Sequence, residues 1–148
     1  INDKPVKLGD AEKAELLQFA TVQDVGRLTP LLGDKYSLKL DKDEVVAGKP
    51  TTVVVVTPKA KGSREIRVCF DKETGRLAKT SRRTLGPDNG GTKEVLEETI
   101  YSDFKPVAGV QYPTALAITH DGAKFMTVTL SDVSIAETGD PKAFVLED

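Results

Sequence analysis

The sequence predicts an α+β fold that is mainly antiparallel β, with a curved sheet and an N-terminal helical region on one of its faces. Three observations carry this. The hydrophobic period is helical as far as about residue 32 and becomes two from Tyr36 onward. The strand-like segments follow one another through short Gly- and Asp-rich turns, which join antiparallel neighbours. No later segment is helical enough to supply the crossovers of a parallel sheet.

At 148 residues the chain reads as a single domain, divided into a helical region (10–32), a sheet (36–135) and a C-terminal tail (136–148). A chain of this size buries roughly 70% of its unfolded surface, enough for a core without staples. Its 21 basic and 23 acidic residues nearly cancel, which argues against nucleic acid as a partner. No apolar run is long enough to span a membrane. The single cysteine, Cys69, excludes an internal disulfide and a CxxC metal site. The chain starts at Ile1 in polar text, INDKPVKLGD, that reads as the middle of something, so upstream sequence is expected.

Taken in order, Asp10 is a good N-cap, since its carboxylate can accept free N–H groups of the first turn. A helix is expected from about 10 to 24. Leu17, Val25, Leu28 and Leu32 fall on one helical face. Gly26 and Pro30 interrupt the pattern, so a second short helix covers about 26–32 and Gly33 ends it. Tyr36, Leu38 and Leu40 then alternate with polar residues and imply one buried face. TTVVVVT (51–57) is β-branched on both faces and suits a central strand covered on both sides. EIRVCF points Ile66, Val68 and Phe70 inward. GPDNGG turns GRLAKTSRRT into KEVLEETIY, and Asp121-Gly122 turns VQYPTALAITH into KFMTVTLSDVSI. Met126, Val128 and Leu130 share a parity that Val133 and Ile135 break. A β-bulge near Ser131-Asp132 would restore one apolar face and bend the sheet.

Few residues carry chemistry. FDKETGRL (70–77) combines Asp71, Thr74 and Gly75. It reads as a turn: Asp71 accepts loop N–H groups, and Gly75 takes the left-handed conformation. A reactive aspartate would need a metal or cationic partner, and the neighbouring text offers none. His120, the only histidine, has no nucleophile motif to serve and is expected at an exposed strand end. Asp41, Asp43 and Glu44 resemble a calcium loop for three residues only and read as a solvated turn. Arg64, Arg67, Lys79, Arg82 and Arg83 form a basic group, and Glu94, Glu97 and Glu98 lie on the strand after the GPDNGG turn. Symmetric folding pairs Arg83 with Glu94 and Lys79 with Glu98, as a charged surface rather than an anion site. Cys69 is a packed or half-exposed thiol without an activating neighbour.

In order and spacing, FDKETGRL, EETIYSDFKPVAGVQYPTAL, DGAKF, LSDVSI and a late Phe144 resemble the C-terminal two-thirds of the bacterial outer-membrane lipoprotein-sorting (LolA/LolB-like) superfamily. The resemblance covers most of residues 26–146. It implies an incomplete, strongly curved antiparallel half-barrel with N-terminal helices over its concave apolar face. It also implies a periplasmic or otherwise exported protein, and a non-enzymatic role with no cofactor. The implied partner is a lipid or lipoprotein acyl chain, held by an apolar lining of Val53, Val55, Ile66, Val68, Leu116, Ile118, Val128 and Leu130 and closed by Leu17, Val25 and Leu28. The alternative is a sensory or protein-interaction domain of the envelope that uses the same fold without lipid.

Overall fold

The computed structural model describes residues 9–60, 62–86 and 93–134. One helix, α1 (Asp10–Gly26), and a 3-10 turn (Thr29–Leu32) precede seven strands. These are β1 (Tyr36–Val46), β2 (Lys49–Pro58), β3 (Ile66–Asp71), β4 (Leu77–Leu85), β5 (Glu94–Val107), β6 (Val110–His120) and β7 (Ala123–Thr129). They form one sheet in sequence order, every neighbouring pair antiparallel. β1 and β7 are its two edges, so the sheet is not closed into a barrel. The mainly antiparallel α+β architecture is thus as the sequence predicts.

The helix breaks where the sequence marks it. Leu28 takes a left-handed φ of 61°, and Gly33 closes the 3-10 turn by donating its N–H to Pro30 O at 3.2 Å. Asp10 is the first helical residue rather than the cap, and the Gly9 carbonyl accepts the Lys13 N–H at 3.0 Å. The change of direction at Leu28 destroys the helical phase between α1 and Leu32, so Leu32 is 90% exposed and does not join Val25. Leu17 is 60% exposed as well. Its neighbour Gln18 turns inward instead, its side-chain amide exchanging hydrogen bonds with the Arg64 backbone at 3.2 and 3.3 Å.

The helix-side core is Val25 against Tyr36, Val56, Ile66, Val68 and Leu77, with Val22, Leu28, Leu31, Phe70 and Tyr101 around it. A second cluster, Val46, Val53 and Cys69 with Ala78 and Ile100, lies on the other face of the sheet. β2 is therefore buried on both faces, as its β-branched run predicts. Tyr36 fastens β1 to the helix, its hydroxyl bonding Asp24 Oδ2 at 3.1 Å.

Several expectations are corrected. Leu38 and Leu40 are exposed: alternation shows that β1 has an apolar face, but as an edge strand it has nothing packed over it there. No bulge forms at Ser131-Asp132, because β7 ends at Thr129. Register shifts lie instead at Asp41/Glu44, Cys69/Phe70 and Ile118/Thr119. The β4–β5 hairpin pairs Arg83 with Leu96 and Arg82 with Glu97, two residues from the symmetric register, so Arg83 does not meet Glu94, while the expected Lys79–Glu98 pair still forms diagonally at 2.9 Å. Ile135, residues 136–148 with Phe144, and most of the GPDNGG turn lie outside the described residues.

Candidate functional site

The FDKETGRL loop is a turn with the expected geometry. Asp71 Oδ1 accepts the Glu73 and Thr74 N–H groups at 2.9 and 2.8 Å. Gly75 has φ +69°, where a side chain would be strained, and its N–H reaches Asp71 O at 2.8 Å. The Thr74 N–H, with the Thr74 hydroxyl, the Glu73 N–H and the Lys49 ammonium, holds the Asp71 carboxyl below its usual range. Lys49 lies 3.5 Å from Asp71 Oδ2. Sequence reading missed this cation because the β1–β2 turn, more than twenty residues upstream, delivers it: β2 pairs Thr51 with Asp71.

That turn also forms one wall of a cleft of about 320 Å³. Thr74, Arg76 and Leu77 meet Tyr101, Ser102, Asp103 and Phe104 across it. Val46, Ala78 and Ile100, part of the second apolar cluster, line it too. Register places Val53, Cys69, Lys79 and Ile100 side by side on the face away from the helix; the cleft takes Val46, Ala78 and Ile100 from the cluster on that face and Leu77 and Tyr101 from the helix-side cluster. Arg76 caps it, its guanidinium 5.3 Å from the centre of the Phe104 ring. Asp103 has a left-handed φ of 51° inside β5, and its carbonyl accepts the Thr114 hydroxyl at 2.6 Å. The cleft is thus built from two stretches that the sequence singled out separately, FDKETGRL and the YSDF of β5. Its walls are mostly aliphatic and aromatic, with Lys49, Arg76, Asp71 and Asp103 at its polar positions.

The eleven candidate lining residues do not share a face. Ile66, Val68, Leu116, Ile118 and Val128 lie on the helix side, as does Leu130, whose N–H bonds Thr114 O at 2.8 Å. Val53 and Val55 pair with Cys69 and Arg67 on the other side. Parity within a strand is visible in sequence, but which parity of one strand matches which of the next is set by register. Val25, Val56, Ile66 and Val68 have no exposed surface, so the space beneath the helix is filled core and not an open groove. Leu116, Ile118, Val128 and Leu130 are half-buried, beyond the helix. Leu17 flanks a smaller depression of about 230 Å³ with Tyr36, Pro58 and Ala60, and Leu28 packs at the margin of the core.

Among the described residues, the charged groups that the sequence singled out are ion-paired except Arg83. Lys79 bridges Glu44 and Glu98, each at 2.9 Å. Asp41 binds Arg67 and Asp43 binds Lys72, so the calcium-like triplet is an edge-strand segment neutralised by cations of β3, its following turn and β4. Burial and the Glu44 carboxylate push the Cys69 thiol up to about 12, so it is an inert donor, 2.8 Å from Glu44 Oε1. His120 is buried rather than exposed. It stacks on Phe125 at 4.0 Å and sits 3.3 Å from Glu97, which also accepts Arg82 Nε at 2.8 Å. Arg64 ties the sheet to α1 through Glu15 at 2.7 Å, and Glu15 accepts the Thr84 hydroxyl at 3.0 Å. Among the described residues no group of His, Cys, Asp and Glu could hold a metal ion, and no helix is long and apolar enough to cross a membrane. No family model, curated protein or solved structure matches the chain.

Proposed function

We propose that this is a non-enzymatic binding module of the bacterial cell envelope, a LolA/LolB-like half-barrel that holds a lipid or lipoprotein acyl chain. The observation that supports it is the cleft: the two sequence stretches that carry the family resemblance meet there around apolar walls. An acyl chain gains about 0.8 kcal/mol per buried CH₂. A cleft of about 320 Å³ is at the small end of ligand sites, so it holds part of a chain and leaves the head group outside. In this reading the ligand lies in the cleft and not beneath the helix, where the volume is taken by Val25, Ile66 and Val68. The same filled core favours the second reading, a protein-interaction or sensory domain without lipid.

A fluorescent fatty-acid probe separates the two. The wild-type chain is expected to bind it in the micromolar range, about −8 kcal/mol. Ser102→Trp fills the cleft from an exposed position and is expected to abolish binding while the urea midpoint is kept. No binding by the wild type, or equal binding by the variant, rejects the cleft and leaves the interaction reading.

A further inference from the structure

The cleft between the Asp71–Gly75 turn and β5 carries two groups of each sign in its lining, Lys49, Arg76, Asp71 and Asp103. Two of them answer each other. The Asp71 carboxylate takes the Glu73 and Thr74 N–H groups on Oδ1 and faces the Lys49 ammonium from Oδ2. The other two have no such partner. Among the described residues neither Arg76 nor Asp103 forms an ion pair, with each other or with any third group. Asp103 meets Thr114 through its backbone carbonyl, which leaves its carboxylate open. The Arg76 guanidinium lies over the Phe104 ring, a contact that supplies no anion. Both residues are exposed, so they stand at the mouth of the cleft, with its aliphatic and aromatic walls behind them.

We propose that the ligand of this cleft is a single-chain phospholipid with a zwitterionic head, its phosphate on Arg76 and its ammonium on Asp103. The inference rests on the acyl-binding reading of the same cleft and names the class of lipid. A volume of about 320 Å³ takes part of one chain. A neutral head leaves Arg76 and Asp103 unanswered. An anionic head meets Arg76 but brings like charge toward Asp103 and Asp71, and a cationic head does the reverse with Arg76 and Lys49. A head with both charges answers both open groups. A phosphodiester can stand between chain and ammonium and still offer two terminal oxygens to the planar guanidinium fork, whereas a carboxylate is a chain end.

Isothermal titration calorimetry of the whole chain tests this with three lipids of one acyl chain, each below its micelle concentration: a monoacylglycerol, a lysophosphatidic acid and a lysophosphatidylethanolamine. The last is expected to bind tightest, by roughly threefold or more over either of the others, the scale of exposed charge contacts. Arg76→Gln is expected to remove its advantage over the monoacylglycerol. Asp103→Asn keeps a residue type that accepts the left-handed φ of 51° and is expected to remove its advantage over lysophosphatidic acid. Ser102→Trp, which fills the cleft, is expected to abolish binding of all three. Glycerophosphoethanolamine, the head without the chain, is expected not to bind. Equal binding of the three lipids by the wild type overturns the head-group assignment and leaves the acyl-binding cleft standing. Binding of none of them overturns both. Tighter binding of lysophosphatidic acid, unchanged preferences in the Arg76 and Asp103 variants, binding that survives Ser102→Trp, or a head group that binds as well without its chain each overturns the proposal.

Discussion

Replacing Ile66 by alanine asks whether the volume beneath α1 is filled. Ile66 has no exposed surface and belongs to the cluster built on Val25, Tyr36, Val56 and Val68. The change removes three carbons, a transfer loss of about 2.4 kcal/mol at ~0.8 kcal/mol per carbon. Packed between a helix and a strand backbone, the site collapses little. A residual cavity of about 50 Å³ adds about 1 kcal/mol at ~24 cal/mol per Å³. The expected loss is therefore about 3.5 kcal/mol, large against a domain stability of roughly 5–15 kcal/mol yet compatible with a folded variant. Urea unfolding followed by circular dichroism measures it, the midpoint falling at unchanged slope. Leu17→Ala, on the exposed side of the same helix, is the control, with an expected change within about 0.5 kcal/mol. A loss below about 1.5 kcal/mol at Ile66 would refute the filled core and return the ligand to the helix side.

Other outcomes follow from the turns and charges. Gly75→Ala meets no atom within 4 Å, so its cost is backbone strain at φ +69°, about 1 kcal/mol by the same urea assay. Asp71→Asn keeps the two N–H bonds to the side-chain oxygen and is expected to fold and bind probe as the wild type does, whereas Asp71→Ala lowers the urea midpoint. Burial disfavours the Glu44 carboxylate, but its bonds to the Cys69 thiol and Lys79 outweigh that and lower its pKa; Asp71 is lowered by its loop N–H bonds. A carboxyl lowered in the folded state contributes stability that is complete above its unfolded pKa, about 4, and lost as pH falls through the folded value. The urea midpoint should therefore drop on acidification below about pH 4, and less steeply in Asp71→Asn. Cys69, with its thiol pushed up to about 12, should resist iodoacetamide at neutral pH until urea unfolds the chain.

Much of the fold was legible because it is local. The period-two runs, the Asp121-Gly122 turn and the Asp71–Gly75 loop are decided by residues within a few positions of one another, and β2 announces its burial on both faces by composition. What failed depends on pieces distant in sequence. Leu38 and Leu40 alternate like a buried face, but only the sheet order reveals that they stand at an edge. Val53 and Ile66 seemed to share a lining until register put them on opposite faces. His120 precedes a turn and so suggested exposure, yet Glu97 from β5 and Phe125 from β7 close over it. The cleft was legible only in parts. Each of its two stretches was marked, but that they meet follows from β4 pairing with β5, which places Ala78 and Lys79 beside Ile100.

The most direct test of acyl-chain binding in the cleft is a ¹⁵N–¹H spectrum of the wild-type chain titrated with a medium-chain fatty acid. Saturable shifts are predicted for the amides of residues 74–78 and 100–104, with those of Val25, Ile66 and Val68 unmoved. Shifts centred on the helix–sheet interface, or none at all, would contradict it.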